Sequence, residues 1–173
     1  MSLVKDTGRI LLVLLMIGLT NCLKEEEEVP ELKSKVVINE LLPINNIIEA
    51  DQDGEFDDWI ELYNQSDEDL DLSGYYLTDS KKNLTKWKFP EGTFISANNY
   101  LIIWADGDTL QAGLHTNYKL SSKGEKVLLL TPELSIVDET EYPSTVLEHS
   151  WARIPDGTGD FQWTTPTFNA PNE

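Results

Sequence analysis

The chain has 173 residues, with 31 acidic and 13 basic side chains, a formal net charge of −18 and a single cysteine. That length suits one domain of ordinary size with a tail. So acidic a surface repels phosphate backbones and excludes nucleic acid as a partner, and one cysteine excludes a disulfide framework. The first element is N-terminal. Lys5 and Arg9 precede Ile10 to Gly18, an uninterrupted run with no polar residue. Spanning a bilayer takes about 20 apolar residues, so the run is too short to cross one. A basic start followed by a short apolar run is the layout of a secretory signal, and residues 1–21 are assigned to it.

The signal ends in Leu19-Thr20-Asn21-Cys22. This resembles a bacterial lipobox, although Asn21 stands where Gly, Ala or Ser is usual. The resemblance implies a lipoprotein signal peptide, with Cys22 acylated as the first residue of the mature chain and inserted in a membrane through its lipid. Residues 22–34 form an acidic tether, because four consecutive glutamates, Glu25 to Glu28, repel one another and bury nothing. Leu23 rather than Asp follows the cysteine, which under the usual sorting rule favours the outer membrane of a Gram-negative bacterium. Lys24-Glu25-Glu26 resembles a short export signal to the cell surface. A spacer with no address is the equal alternative.

From Lys35 onward the texture changes to short apolar or alternating runs separated by Gly, Pro, Asn and Asp. They are Val36–Ile38, Trp59–Tyr63, Tyr75–Leu77, Trp87–Phe89, Thr93–Ile95, Tyr100–Trp104, Lys126–Leu130, Ser135–Val137 and Ser150–Ile154. β-Branched and aromatic residues dominate them, and none extends into helical periodicity. The expected class is all-β, a sandwich or barrel, over residues 35–172. A domain of that size buries a core without help from metal or disulfide. Gly74, Gly92, Gly124 and Gly157 each stand where a turn with positive φ is expected.

The segments INELLP, DWIELYNQSDEDLDLSGYYLTD, WKFPEGTFISANNYLIIWADG, LHTNYKLSSKGEKVLLL and SWARIPDGTGDFQWTTPTFNAPN resemble the lamin-tail domain, in that family's order. Asn39-Glu40, Asp58–Asn64, Leu72-Ser73-Gly74 and Phe89–Gly92 are the most specific pieces. The resemblance implies an immunoglobulin-like β-sandwich. It implies an exported or surface protein and no catalytic activity of the domain itself. Fold alone names no ligand.

Alternation in Trp59–Tyr63 puts Ile60 and Leu62 on the core face and Trp59, Glu61 and Tyr63 on the other. Two readings of that second face are open. It is either a surface carboxylate beside exposed rings or a polar-aromatic patch that binds a sugar or protein. The stretch Glu49 to Ile60 approaches the spacing of a calcium loop, with Asp51 and Asp53 at positions three and five, Gly54 at six and Asp57 at nine. Position twelve, which needs a bidentate glutamate, is Ile60, so the loop is no EF-hand. Asp51, Asp53 and Asp57 are the candidate ligands of a weak calcium site, and plain turn chemistry is the alternative. His115 and His149 lack metal-ligand spacing, and His115 is expected to make a structural hydrogen bond. No nucleophile elbow, zinc helix or phosphate loop occurs.

The functional expectation is a non-catalytic, lipid-anchored lipoprotein of the outer membrane or cell surface, which displays a binding or structural module to a protein or glycan. No cofactor is expected beyond weak calcium. The rivals are a carboxylate-dependent hydrolase of the cell envelope and an envelope spacer with no ligand.

Overall fold

The computed structural model describes residues 35–173. The signal, the tether and Cys22 lie outside them. Eleven strands follow one another: β1 (Val36–Leu42), β2 (Trp59–Asn64), β3 (Leu70–Asp71), β4 (Tyr76–Thr78), β5 (Trp87–Lys88), β6 (Phe94–Ile95), β7 (Tyr100–Trp104), β8 (Glu125–Leu130), β9 (Ile136–Tyr142), β10 (Ser150–Ile154) and β11 (Asp160–Thr164). There is no helix among the described residues.

The strands make an immunoglobulin-like sandwich. One sheet has the order β11-β10-β1-β2-β7 and faces another of order β5-β4-β8-β9, with β3 and β6 paired alone. All pairings between these strands are antiparallel. The runs expected from the sequence each hold a strand, with Tyr100–Trp104 and Ser150–Ile154 matched end to end. The strands β3 and β11 were not expected.

The core lies between the sheets. Ile38, Leu41, Ile60, Leu62 and Ile103 project from the five-stranded sheet and meet Leu77, Trp87, Val127 and Leu129 from the other. An aligned stack of two half-apolar sheets is the usual way to bury such alternating strands. The sheets are tied at one edge by Arg153 on β10. Its guanidinium forks onto both oxygens of Asp138 on β9, at 2.9 and 3.0 Å. Asp138 Oδ2 also accepts the Ile38 backbone N–H.

The four expected turn glycines all have positive φ. Gly124 shows why one of them must be glycine. At φ 87° a Cβ there would sit 2.5 Å from the Tyr142 carbonyl oxygen, so both backbone conformation and space exclude a side chain.

The strand β2 departs from its expected role. Ile60 and Leu62 enter the core as expected, yet Trp59 and Glu61 on the opposite face are fully buried too. The C-terminal segment lies across that face. Phe168 packs edge-on against Trp59, with centroids 5.4 Å apart, and also meets Trp104 at 5.6 Å. Trp59, Leu42 and Trp104 thus form a second, smaller core outside the sandwich.

Candidate functional site

The outer face of the five-stranded sheet is where polar chemistry collects. Between β1 and β2 the register shifts from Ile38 to Glu40, a bulge that leaves Asn39 without a cross-strand partner. The Asn39 side chain is a junction. Its Nδ2 donates to Glu61 Oε1 at 3.1 Å and to Asp156 Oδ1 at 3.0 Å, and its Oδ1 accepts the Gly157 N–H. Glu40 sits directly across from Glu61. Glu40 accepts both the N–H and the hydroxyl of Thr167, and Glu61 accepts the Asn169 N–H. Asn172 closes the arrangement by donating to the Asn39 and Arg153 carbonyls.

Burial pushes the Glu61 carboxyl up to about 8, and the neighbouring Glu40 and Asp156 add to the rise, against the hydrogen bonds from Asn39 and Asn169. Glu40 is raised as well, again chiefly by burial. Two close carboxylates with raised proton affinity are a pattern found at catalytic sites. Here both are completely shielded from solvent and carry hydrogen bonds from the C-terminal segment. Their chemistry is that of a buried polar clamp holding residues 167–172 to the sheet.

The patch expected at Trp59, Glu61 and Tyr63 therefore does not form an open surface. Trp59 and Glu61 are covered by Phe168 and Asn169. Tyr63 is half-buried and stacks on Tyr100, with centroids 4.9 Å apart. The alternation placed these residues on one face, but the cover of Trp59 and Glu61 arrives from more than a hundred residues downstream.

Beside this clamp lies a pocket of about 410 Å³. Ile102, Trp104 and Phe168 supply its apolar lining, and Asp51, Gln52 and Asn169 its polar lining. Ile102 and Trp104 come from β7, on the same outer face as Glu61 and Trp59, with which they pair. None of this pocket except Asp51 was singled out from the sequence. The alternation within Tyr100–Trp104 was the available signal, since it separates Ile102 and Trp104 from the core residue Ile103.

The acidic loop borders the pocket. Asn45 anchors its base by donating to the carbonyls of Glu49 and Asp57. The loop then folds tightly about Asp51, whose Oδ1 accepts the backbone N–H groups of Asp53 and Glu55, both at 2.9 Å. That turn brings carboxylate oxygens of Asp51, Glu55 and Asp57 within 4.8 Å of one another. Asp53 is absent from this group. It is exposed, and it meets Asp51 through its backbone N–H. The carboxylates that the fold brings together are thus Asp51, Glu55 and Asp57, not the expected Asp51, Asp53 and Asp57. The cause is the turn, which replaces the one-three-five spacing of a calcium loop by Asp51's own hydrogen bonds.

Two further groups approach Asp51 from the segment after β7. Asp106 and His115 are buried, and their ligating atoms also fall within 4.8 Å of one of Asp51's. His115 Nδ1 lies 2.6 Å from Asp106 Oδ2, and its Nε2 lies 3.1 Å from the Ala112 carbonyl oxygen. This is the structural hydrogen bonding expected of His115. Its approach to Asp51 was not legible, because it depends on the fold rather than on spacing.

The pieces quoted from Asn39 to Gly124 now sit in one antiparallel sandwich. The family model of the lamin tail domain matches residues 30–144. The chain belongs to the lamin tail domain family. The family is one of immunoglobulin-like, non-catalytic domains. The lamin-tail match takes in β1 to β9, while β10, β11 and the covering segment lie beyond residue 144. Arg153, Asp156, Thr167, Asn169 and Asn172 of the polar clamp are therefore supplied from outside the matched stretch. No curated protein matches the chain.

Proposed function

We propose that this lamin tail domain is displayed by a lipid at Cys22 on the outer membrane or cell surface, and that it binds a glycan or protein segment without catalysis. The observation that carries the binding reading is the pocket lined by Ile102, Trp104 and Phe168 together with Asp51, Gln52 and Asn169. An indole and a phenyl beside the Gln52 and Asn169 amides offer apolar contact to a ligand's faces and hydrogen bonds to its polar rim. A pyranose combines those two kinds of surface. So does a short peptide.

The non-catalytic reading is supported by the family and by the shielding of Glu40 and Glu61, the two paired carboxylates with raised proton affinity. A hydrolase needs its acid within reach of substrate. The lipid anchor rests on the sequence from Lys5 to Cys22. The test of the binding reading is a glycan and protein array probed with the full chain in detergent. A ligand retained intact supports it, and a ligand that is cleaved favours the hydrolase.

A further inference from the structure

The acidic loop carries an inference independent of the pocket's organic ligand. We propose that Asp51, Glu55 and Asp57 form a divalent-cation site suited to calcium. Three carboxylates with oxygens within 4.8 Å of one another do not alone make a site. The deciding feature is Asp51. Its residue is 9% exposed, its Oδ1 is used by the amides of Asp53 and Glu55, and its Oδ2 is buried with no hydrogen-bond partner among the described residues. A buried carboxylate oxygen left without a donor costs free energy unless a cation or donor meets it.

Asp57 repeats the pattern. Its Oδ2 is buried without a hydrogen-bond partner among the described residues, and the ammonium of Lys119 lies 4.0 Å from its Oδ1. Lys119 is mostly exposed, so its charge is screened by solvent and offsets little. Burial and the repulsion of Asp106, Asp51 and Glu55 raise the Asp57 carboxyl. Glu55 offers an exposed carboxylate whose recorded contact is a 3.3 Å hydrogen bond from Gln111.

The alternative trio of Asp51, Asp106 and His115 is the poorer host. His115 and Asp106 face each other at 2.6 Å, and Asp106 Oδ1 is taken by the Asp108 N–H. A cation there would have to break that pair. At Asp51, Glu55 and Asp57 the donors are all oxygens, and among the described residues the one ion pair to them is that of Lys119 with Asp57. Hard oxygen ligands and high negative charge favour calcium over the softer transition metals. Asp106 and His115 then act as the buried wall behind Asp51.

The experiment is a calorimetric titration of calcium into the full chain in detergent, with Asp51→Asn, Asp57→Asn and Asp53→Asn in parallel. Asparagine at position 51 keeps the Oδ1 that organises the turn. Asp57's side chain accepts no hydrogen bond from the described residues, so Asp57→Asn guards against a folding artefact. Binding in the millimolar range or tighter is expected for the wild type, weakened at least about tenfold in both Asp51→Asn and Asp57→Asn, since calcium affinity follows the charge of the ligand set. Asp53→Asn should bind as the wild type does. Absence of binding by the wild type overturns the site. Unchanged affinity in Asp57→Asn overturns it as well, as does a loss in Asp53→Asn equal to that in Asp57→Asn.

Discussion

The backbone N–H of Asn169 donates a 2.8 Å hydrogen bond to Glu61 Oε2, across 108 positions of sequence. This contact seals a carboxylate that β2 would otherwise present to solvent. It joins the Thr167 bonds to Glu40 in making the C-terminal segment part of the domain. Deleting the acceptor strips the fully buried Asn39 amide and the Asn169 N–H of a partner, and that costs more than the bonds themselves contribute.

The Glu61 carboxyl, raised to about 8 by burial, sets an unusual pH dependence. The folded state holds its proton more tightly than the unfolded chain, whose glutamates titrate near 4.5. Its contribution is therefore complete below pH 4.5 and is lost as pH rises through about 8. Asp58, raised to about 7, acts in the same direction. Each tenfold difference in proton affinity is worth about 1.4 kcal/mol. Denaturant melts should show stability falling between pH 5 and pH 9, and Glu61→Gln should flatten that slope. A Glu61→Gln chain with the wild-type slope would count against a proton on Glu61.

Ile60 and Leu62 fill the main core and are fully buried. Replacing either by alanine should cost about 2–5 kcal/mol, the range for large-to-small changes in a packed core. Alternation alone assigns Glu61→Ala a much smaller cost. The buried clamp changes that expectation. Depriving the buried Asn39 amide and the Asn169 N–H of their acceptor should cost about 1–3 kcal/mol at pH 5, where Glu61 is protonated. Urea unfolding of the three variants checks the order. A neutral Glu61→Ala would mean that the C-terminal segment does not stay on the sheet.

The Trp59–Tyr63 alternation correctly divided the strand between two faces, because side-chain direction in a strand is a local property. What covers the second face was not legible. Phe168 and Asn169 carry no local mark of docking on β2, and their contacts exist only once the chain has returned. The strand β11 was missed for a related reason. Its Phe161 and Trp163 pack around Trp151 on the neighbouring strand β10, so its pairing is recognised only with β10 beside it. At the acidic loop, spacing named Asp51, Asp53 and Asp57, whereas the carboxylate oxygens that lie together are those of Asp51, Glu55 and Asp57. It chose Asp53 over Glu55, since a template of fixed intervals has no knowledge of the turn that Asp51 makes with its own carboxylate.

The anchor is tested at Cys22, the single cysteine. Labelled palmitate should enter the wild-type chain in bacteria and should not enter Cys22→Ser. The variant should also leave the membrane fraction. Equal labelling of the two would remove the lipoprotein reading and leave the sandwich unaffected.

Binding in the pocket is tested most directly by titrating the strongest array ligand into the full chain, its Gln52→Ala variant and its Asn169→Gly variant. Both side chains line the pocket. Asn169 has φ 54°, so glycine keeps the backbone and its bond to Glu61 while removing the side chain. At least one variant should bind about tenfold more weakly, a loss of about 1.4 kcal/mol, with the ligand recovered unchanged. Wild-type affinity in both variants, or turnover of the ligand, would contradict a non-catalytic binding module built on this pocket.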